Sequence, residues 1–221
     1  MRREMARQED ELSPVFDARW GEIEDPHRSF VERFLARLPS GARVLDAGCG
    51  TGKYFGMVLD TGRAIVGVDH SAGHLAVAAR KFPGVPTEQH DLQELPYRDE
   101  FDGVMCVDAM EFVPPEEWPV VVGRFLEALR PGGWLYLTVE LMPEERVREL
   151  TEQGRGAGHP LVDGEVMVDE PDGYYHHYPG MDRVRAWLGG AGFTIEDELE
   201  GPWDADEDFA YHHVLARVSA G

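Results

Sequence analysis

At 221 residues the chain is long enough to bury one sizeable core without disulfides and short for two. Forty-two acidic residues against 21 basic ones leave a formal charge of −21, a surface that repels nucleic acid, with no basic stripe for phosphate contacts. No apolar run of about 18 residues marks a membrane span, no leader pattern opens the chain and two cysteines make no disulfide framework, so the expectation is one soluble, cytoplasmic domain over residues 1–221.

Residues 1–11 are polar and charged and read as a frayed start. Phe16, Trp20 and Ile23 then place large apolar groups in a segment too short to form a core, which reads as a cap packed on the sheet edge. Pro26 opens a helical pattern with Phe30, Phe34 and Leu38 on one face, stopped at Pro39-Ser40-Gly41. Residues 12–40 are thus an N-terminal cap and helix.

An apolar run then ends at Asp46, and Gly48, Gly50 and Gly52 follow at alternate positions before a helical pattern. This is a strand, a tight turn and a helix N-terminus, and the glycines clear side chains from where a ligand must approach the backbone. The turn is a candidate seat for a nucleotide-like cofactor. The dinucleotide fingerprint G-x-G-x-x-G would need its third glycine at Lys53, and it falls at Gly52. That counts against a nicotinamide-dependent oxidoreductase.

Residues 53–60 read as a crossover helix, and 64–68 as a nearly all-apolar parallel strand ending at Asp69. A carboxylate there can accept both hydrogens of a ribose diol; Asp69 or Ser71 also suits the capping of a helix over 72–81, with Leu75, Ala78, Ala79 and Phe82 on its apolar side. Residues 87–90 form a short third strand leading to Asp91-Leu92, and 101–106 a fourth in which Gly103 lets a neighbour approach the backbone. Pro114-Pro115-Glu116-Glu117 opens a helix carrying Val121, Val122, Phe125, Leu126 and Leu129, ended by Pro131-Gly132-Gly133. Residues 134–139 are the fifth strand, with Glu140 beyond its carboxyl end, where open α/β sheets place ligands.

From Met142 to about Gly180 the pattern loosens into a polar helical piece over 144–152, a glycine-rich turn, a weak alternation over 161–168 and a polar aromatic run over 172–180. In that run Tyr174, Tyr175, His176, His177 and Tyr178 combine apolar faces with hydrogen-bonding tips. Two adjacent histidines alone do not make a metal site. Residues 142–180 are the expected acceptor-recognition insertion. A helix from 181 or 182, stopped at Gly189-Gly190, precedes a strand from 191–195 and a last strand over 209–218, in which His212 and His213 face opposite ways, at most one of them toward the core.

Asp46-Ala47-Gly48-Cys49-Gly50-Thr51-Gly52 resembles motif I of the class I S-adenosylmethionine-dependent methyltransferases. Val66-Gly67-Val68-Asp69, Asp91-Leu92, Phe101-Asp102-Gly103-Val104-Met105-Cys106 and Leu129-Arg130-Pro131-Gly132-Gly133 resemble that family's later landmarks, in order. The similarity runs from about residue 28 to 142, and more weakly from 181 to 217. It implies an α/β, Rossmann-like sheet of seven strands, mostly parallel with an antiparallel last strand, helices on both faces and an insertion after strand five.

The resemblance also implies S-adenosyl-L-methionine as cofactor. Asp46, Gly48, Cys49, Gly50 and Gly52 would wrap its methionine part, Asp69 with neighbouring His70 would meet the ribose, and Cys106 and Val107 would add backbone contacts. Asp91 would accept from the adenine amino group while Leu92 donates a backbone N–H. Phe16-Asp17-Ala18 resembles the segment that closes over the cofactor, with Phe16 near the methionine end and Trp20 toward the acceptor. Asp108-x-Met110-Glu111-Phe112-Val113 resembles the Glu-x-x-Leu-Glu-His-Val of small-molecule O-methyltransferases, some of which hold a divalent metal. Phe112 stands in the histidine's place and cannot ligate, so no metal is expected.

The implied activity is methyl transfer to an O, N or C nucleophile of a small molecule by in-line displacement, a reaction that positioning alone can drive far. If the acceptor must lose a proton, the candidate bases in falling order are His176, His177, Glu111 and Asp108. Trp20, Glu140, Tyr174, Tyr175 and Tyr178 are the expected acceptor contacts. A non-catalytic S-adenosylmethionine-binding protein is the alternative, neither nucleic acid nor membrane is expected as a partner, and a homodimer stays open.

Overall fold

Strand β1 (Arg43–Ala47) divides the molecule by its alternation: Val44 packs into one group of helices, Leu45 and Ala47 into another. The computed structural model describes residues 2–168, 174–201 and 209–219. Among them a seven-stranded sheet is built from β1, β2 (Ala64–Asp69), β3 (Thr87–Gln89), β4 (Phe101–Cys106), β5 (Leu129–Leu141), β8 (Phe193–Glu200) and β9 (Ala210–Val218), in the order β3-β2-β1-β4-β5-β9-β8. Neighbours run parallel except at β9, which pairs antiparallel with both β5 and β8. The order reverses between β1 and β4, where a crevice opens at the carboxyl ends of the strands.

Helices cover both faces. On one lies α3 (His27–Arg37), whose Phe30, Val31, Phe34 and Leu35 are buried with Val44, Met105 and Tyr136, followed by α4 (Phe55–Leu59) and α5 (Ala72–Lys81). On the other are α6 (Trp118–Ala128) and α8 (Met181–Ala191), with Trp118, Val121, Val122, Phe125, Val184 and Leu188 packed on Leu45, Val104 and Leu135. Gly103 on β4 shows how tight the fit is. A Cβ there would lie 2.6 Å from Phe34 Cζ and 2.8 Å from Leu38 Cδ1, both buried. Gly103→Ala is expected to destabilise the fold by about 1–3 kcal/mol in a urea melt, the cost of overpacking a closed core.

The ends of the chain depart from the expectations. The start of the chain is not frayed over residues 2–11: α1 (Arg2–Leu12) is a helix with Met5 and Gln8 buried. Its anchor is electrostatic, because Asp10 Oδ1 accepts from Ser71 Oγ at 2.7 Å and from Gly73 N at 2.8 Å, a carboxylate placed at the start of α5. The short α2 (Phe16–Trp20) buries none of its residues and does not cap the sheet edge. Asp17 instead ties it to Thr51 Oγ1 and, at 2.8 Å, to Lys81 Nζ.

Four other boundaries and faces move. On α5 the apolar side takes His74 in place of Ala79, which is exposed. Strand β5 begins at Leu129, opposite Phe101, and Pro131-Gly132-Gly133 is a bulge within it, so Glu140 lies inside the strand, opposite Tyr211. Helix α8 runs through Gly189-Gly190 and ends only at Gly192, whose φ of +106° makes a left-handed cap. The insertion holds α7 (Glu144–Gly156), four residues longer than its polar pattern suggested, and a hairpin of β6 (Glu165–Val168) with β7 (Tyr174–His177). Asp172 and Gly173 of the aromatic run lie outside the described residues.

His212 and His213 are both buried, since β9 sits inside the sheet with neighbours on both sides. His213 stacks on Phe30 and shares a 3.0 Å hydrogen bond with Tyr136 Oη. Burial first, then the nearby His27, pulls its ring down to about 3, and burial pulls His177 down to about 4. The unfolded chain protonates both rings near 6.5 and the folded chain does not, so unfolding takes up protons and stability falls as pH drops from about 6.5 toward 3 to 4. Melts between pH 7 and 4.5 are expected to lose roughly 1.4 kcal/mol per ring per pH unit below 6.5, and His213→Phe to remove about half of that slope. No helix among the described residues is long and apolar enough to cross a membrane.

Candidate active site

The three glycines after β1 do three different things. Gly48 N and Cys49 N donate to Val68 O at 2.8 and 2.9 Å, pinning the strand exit to the end of β2. Gly48, at φ +81°, leaves no room for a side chain, because a Cβ would meet Ala109 Cβ at 2.6 Å. Gly52, at φ +77°, packs on the Phe55 ring. Only beside Gly50, at φ +51°, is there space: its Cβ would come no nearer than 3.9 Å to any neighbour, the Phe16 ring.

That space belongs to a cavity of about 1730 Å³. A single small ligand occupies roughly 300–1,000 Å³, so two molecules can sit side by side. Gly48, Cys49, Gly50, Asp69, His70, Asp91, Leu92 and Val107 all line it, as do Phe16 and Trp20 from α2. Asp46, Gly52 and Cys106 stay off its wall: Cys106 is buried within β4, and Asp46 lies beneath the turn, its Oδ2 without a hydrogen-bond partner. Burial, then the charges of Asp69 and Asp108, push the Asp46 carboxyl up to about 8.

Asp69 is held on both sides, Oδ2 accepting from Gly50 N and Oδ1 from Ser71 N, each at 2.8 Å. A carboxylate offers about four lone-pair sites, so two remain toward the cavity. Ser71 caps α5 by accepting from His74 N, so of the two candidates for that cap it is Ser71 that fills it. His70 Nδ1 lies 4.0 Å from Asp91 Oδ1. Over this end closes α1, bringing Glu9 to the wall with its Oε2 3.5 Å from His74 Nε2. Burial, then the charges of Asp69 and Asp10, raise Glu9 to about 7. Nothing in the sequence marked Glu9, whose ion-pair partner His74 lies 65 residues further along the chain.

At the other end, Asp108 adopts φ +53°, a strained conformation for a residue with a side chain, costing of order 1–3 kcal/mol. It is held there by its N–H donating to Thr138 Oγ1 at 2.8 Å and by His27 Nε2 3.0 Å from Oδ1, with Lys53 Nζ 3.9 Å from Oδ2. Burial works against the Asp108 carboxylate, and His27 and Lys53 overcome it, keeping it below the usual carboxylate range. His27, Lys53 and Tyr211 line the cavity and were missed from sequence, where nothing links their positions.

Glu140, buried in β5, accepts from Tyr211 Oη at 3.3 Å and bonds His176 Nδ1 at 3.1 Å. Tyr178 Oη is 3.3 Å from the same nitrogen, and the Phe112 ring meets the imidazole edge-on at 5.1 Å. With the Nδ1 proton directed at Glu140, Nε2 is left as the basic nitrogen. Glu111, on the 3-10 turn Met110–Phe112, is 4% exposed and lines the same wall.

The hairpin separates the aromatic run into two sets by simple alternation. Tyr174, His176 and Tyr178 line the cavity; Tyr175 and His177 do not. Tyr175 donates to Glu165 Oε1 at 2.8 Å, and His177 is buried between Trp118 and Trp187, so neither stands where it was expected to act. Among the described residues, no three His, Cys, Asp or Glu side chains are grouped to hold a metal ion.

The model of the methyltransferase domain family matches residues 44–133. A probable S-adenosylmethionine-dependent methyltransferase of Mycolicibacterium smegmatis is 31% identical over 214 residues, 86% of this chain and 75% of that protein. The tRNA (carboxymethyluridine(34)-5-O)-methyltransferase of Arabidopsis thaliana is 32% identical over 124 residues, 55% of this chain but 30% of that one. The chain spans less than two thirds of the length of several such curated relatives. Among solved structures, the 1,6-didemethyltoxoflavin-N1-methyltransferase of Burkholderia thailandensis, with 1,6-didemethyltoxoflavin and S-adenosylhomocysteine bound, matches with a TM-score of 0.71 at 20% identity, over 98% of this chain and 88% of that one.

Proposed function

This chain belongs to the class I S-adenosylmethionine-dependent methyltransferases, and from that premise we propose that it transfers a methyl group from S-adenosylmethionine to a small-molecule nucleophile whose proton passes to His176. The observation that carries this reading is the His176–Glu140 pair, 3.1 Å apart, on the wall of the same cavity that Gly50 and Asp69 line.

The residues present fit the cofactor. The open side of Gly50 admits its amino-acid end, the two free lone-pair sites of Asp69 suit the ribose hydroxyls, and Asp91 with the Leu92 N–H suits adenine. When bound, S-adenosylmethionine supplies a methyl group already activated on a sulfonium. The protein's part is then to position the nucleophile, exclude water and take a proton. Phe16 and Trp20 of α2 and Glu9 of α1 cover the donor end, while α7 closes the other through Leu150 and the β6–β7 hairpin through Met167 and Tyr174, with Met142 and Tyr178 beside them. Residues 142–180 thus act as the acceptor-recognition element. His176 takes the proton at Nε2, and Glu140 stabilises the imidazolium that results.

A small acceptor is favoured over a nucleic acid by the charge of −21, and the tRNA substrate in the name of the Arabidopsis relative stays with that protein. Cys49 and Cys106, both free and buried, fit a reducing compartment such as the cytoplasm. Calorimetric titration with S-adenosylhomocysteine and with NAD tests the donor, and a methyl-transfer assay over a panel of small hydroxylated and amino compounds tests the reaction. Saturable binding of S-adenosylhomocysteine with turnover is expected. A tight NAD complex overturns the donor assignment, and donor binding without any turnover makes the chain a binding protein.

A further inference from the structure

Glu111 has a feature that the His176 mechanism does not use. Its Oε2 is buried and has no hydrogen-bond partner among the described residues, and the residue stands on the cavity wall. Leaving a buried polar atom unpaired is costly, so such an atom at a ligand cavity invites a ligand partner. Neighbouring groups do not supply one. The two oxygens of Glu140 are taken by His176 and Tyr211, and Asp108 is taken by His27 and lies near Lys53.

The state of the carboxyl follows from its surroundings. Burial, then the charges of Glu140 and Asp108, raise Glu111 well above the usual carboxylate range, a shift that favours the protonated form with its O–H donor. A neutral buried acid of this kind hydrogen-bonds a ligand oxygen strongly. It also sits beside the base: β7 packs against the turn that carries Glu111, and the next residue, Phe112, touches the His176 ring.

Resting on the methyl-transfer reading, we propose that Glu111 is the specificity-determining residue of the acceptor pocket, donating a hydrogen bond to an oxygen adjacent to the one methylated. The acceptors are then small molecules with an acidic O–H flanked by a carbonyl or second hydroxyl, such as enols of dicarbonyl compounds and ortho-oxygenated phenols. Donation to a carbonyl conjugated with the hydroxyl also acidifies that hydroxyl, which eases proton loss to His176. An amine acceptor would call for the opposite state, an ionised Glu111 facing an ammonium.

Two measurements on the full chain with S-adenosylhomocysteine bound or S-adenosylmethionine supplied test this. Infrared difference spectra at pH 7 are expected to show a protonated-carboxyl band that is absent in Glu111→Gln and shifts when 2-hydroxyacetophenone binds. In turnover, 2-hydroxyacetophenone and catechol are expected to exceed phenol and benzylamine by about tenfold or more in kcat/KM, the factor one good hydrogen bond supplies. Glu111→Gln, which keeps an N–H donor, should retain most of that preference, and Glu111→Ala should lose it with the affinity for S-adenosylhomocysteine unchanged. Preference for benzylamine, absence of the band, or an unchanged ratio in Glu111→Ala overturns the proposal. If the wild type methylates none of the four probes, it is the methyl-transfer reading that fails for them, and the band with 2-hydroxyacetophenone present still decides Glu111.

Discussion

Asp69→Ala is expected to weaken S-adenosylhomocysteine binding by about 10²- to 10⁴-fold. Hydrogen bonds to a charged group contribute about 1.5–3 kcal/mol each, and a diol forms two with this carboxylate. The damage also extends to the cradle, since Gly50 N and Ser71 N both donate to Asp69 and each loses its partner. The turn loses the bond that holds Gly50 open to the cavity, and α5 loses a bond at its start. Asp69→Asn keeps one acceptor oxygen and should fall between wild type and alanine. The charge of Asp69 also helps hold Glu9 up at about 7, so its removal should let Glu9 titrate lower. Calorimetry at matched pH reads the affinity directly, and a dissociation constant within threefold of wild type would remove Asp69 from the cofactor site.

The second large effect is at His176. Its replacement by alanine is expected to lower kcat by about 10²- to 10⁴-fold, the usual worth of a positioned general base, with cofactor affinity unchanged. The acid limb of the pH–rate profile should vanish with it, which a merely structural loss would not cause. His177 provides the control. That ring is buried among Trp118 and Trp187 and held at about 4 mainly by burial, so His177→Leu should change stability and leave the pH profile in place. If the two variants exchange these behaviours, the hairpin presents the other face to the acceptor. Glu140→Gln tests the same pair from the other side: it leaves a hydrogen bond to His176 but withdraws the charge that steadies the imidazolium, so kcat should fall while KM holds.

Much of the donor end was legible because its signals are local. Asp46 through Gly52 encode a strand end and a turn of three left-handed glycines within a few residues, and Asp69 ends the next apolar strand, although the helix expected from residue 53 begins only at Phe55, after a further turn. Phe30, Phe34 and Leu38 announce a buried helix face by spacing alone, and all three are buried. The acceptor end was harder. The period of two that parts His176 from His177 is present in the sequence, but its phase is not. That depends on β7 packing against the Met110–Phe112 turn and on α8 bringing Trp187 against His177. Glu9 and Asp10 looked like solvated charges until α1 was found against α5, where Asp10 meets the helix start.

Most strands of the sheet, the order of glycine turn and strand-end acids, and the family were readable from the amino-acid order, because these depend on spacing along a chain whose backbone geometry repeats every two or 3.6 residues. Which glycine stands open, which histidine faces the cavity and which carboxyls are pushed up came from the folded arrangement alone. Each of those is set by atoms far away in the chain: Ala109 against Gly48, Glu140 against His176, and, after burial itself, Glu140 against Glu111. Clearance and charge act through space, so their outcome exists only once the strands are side by side.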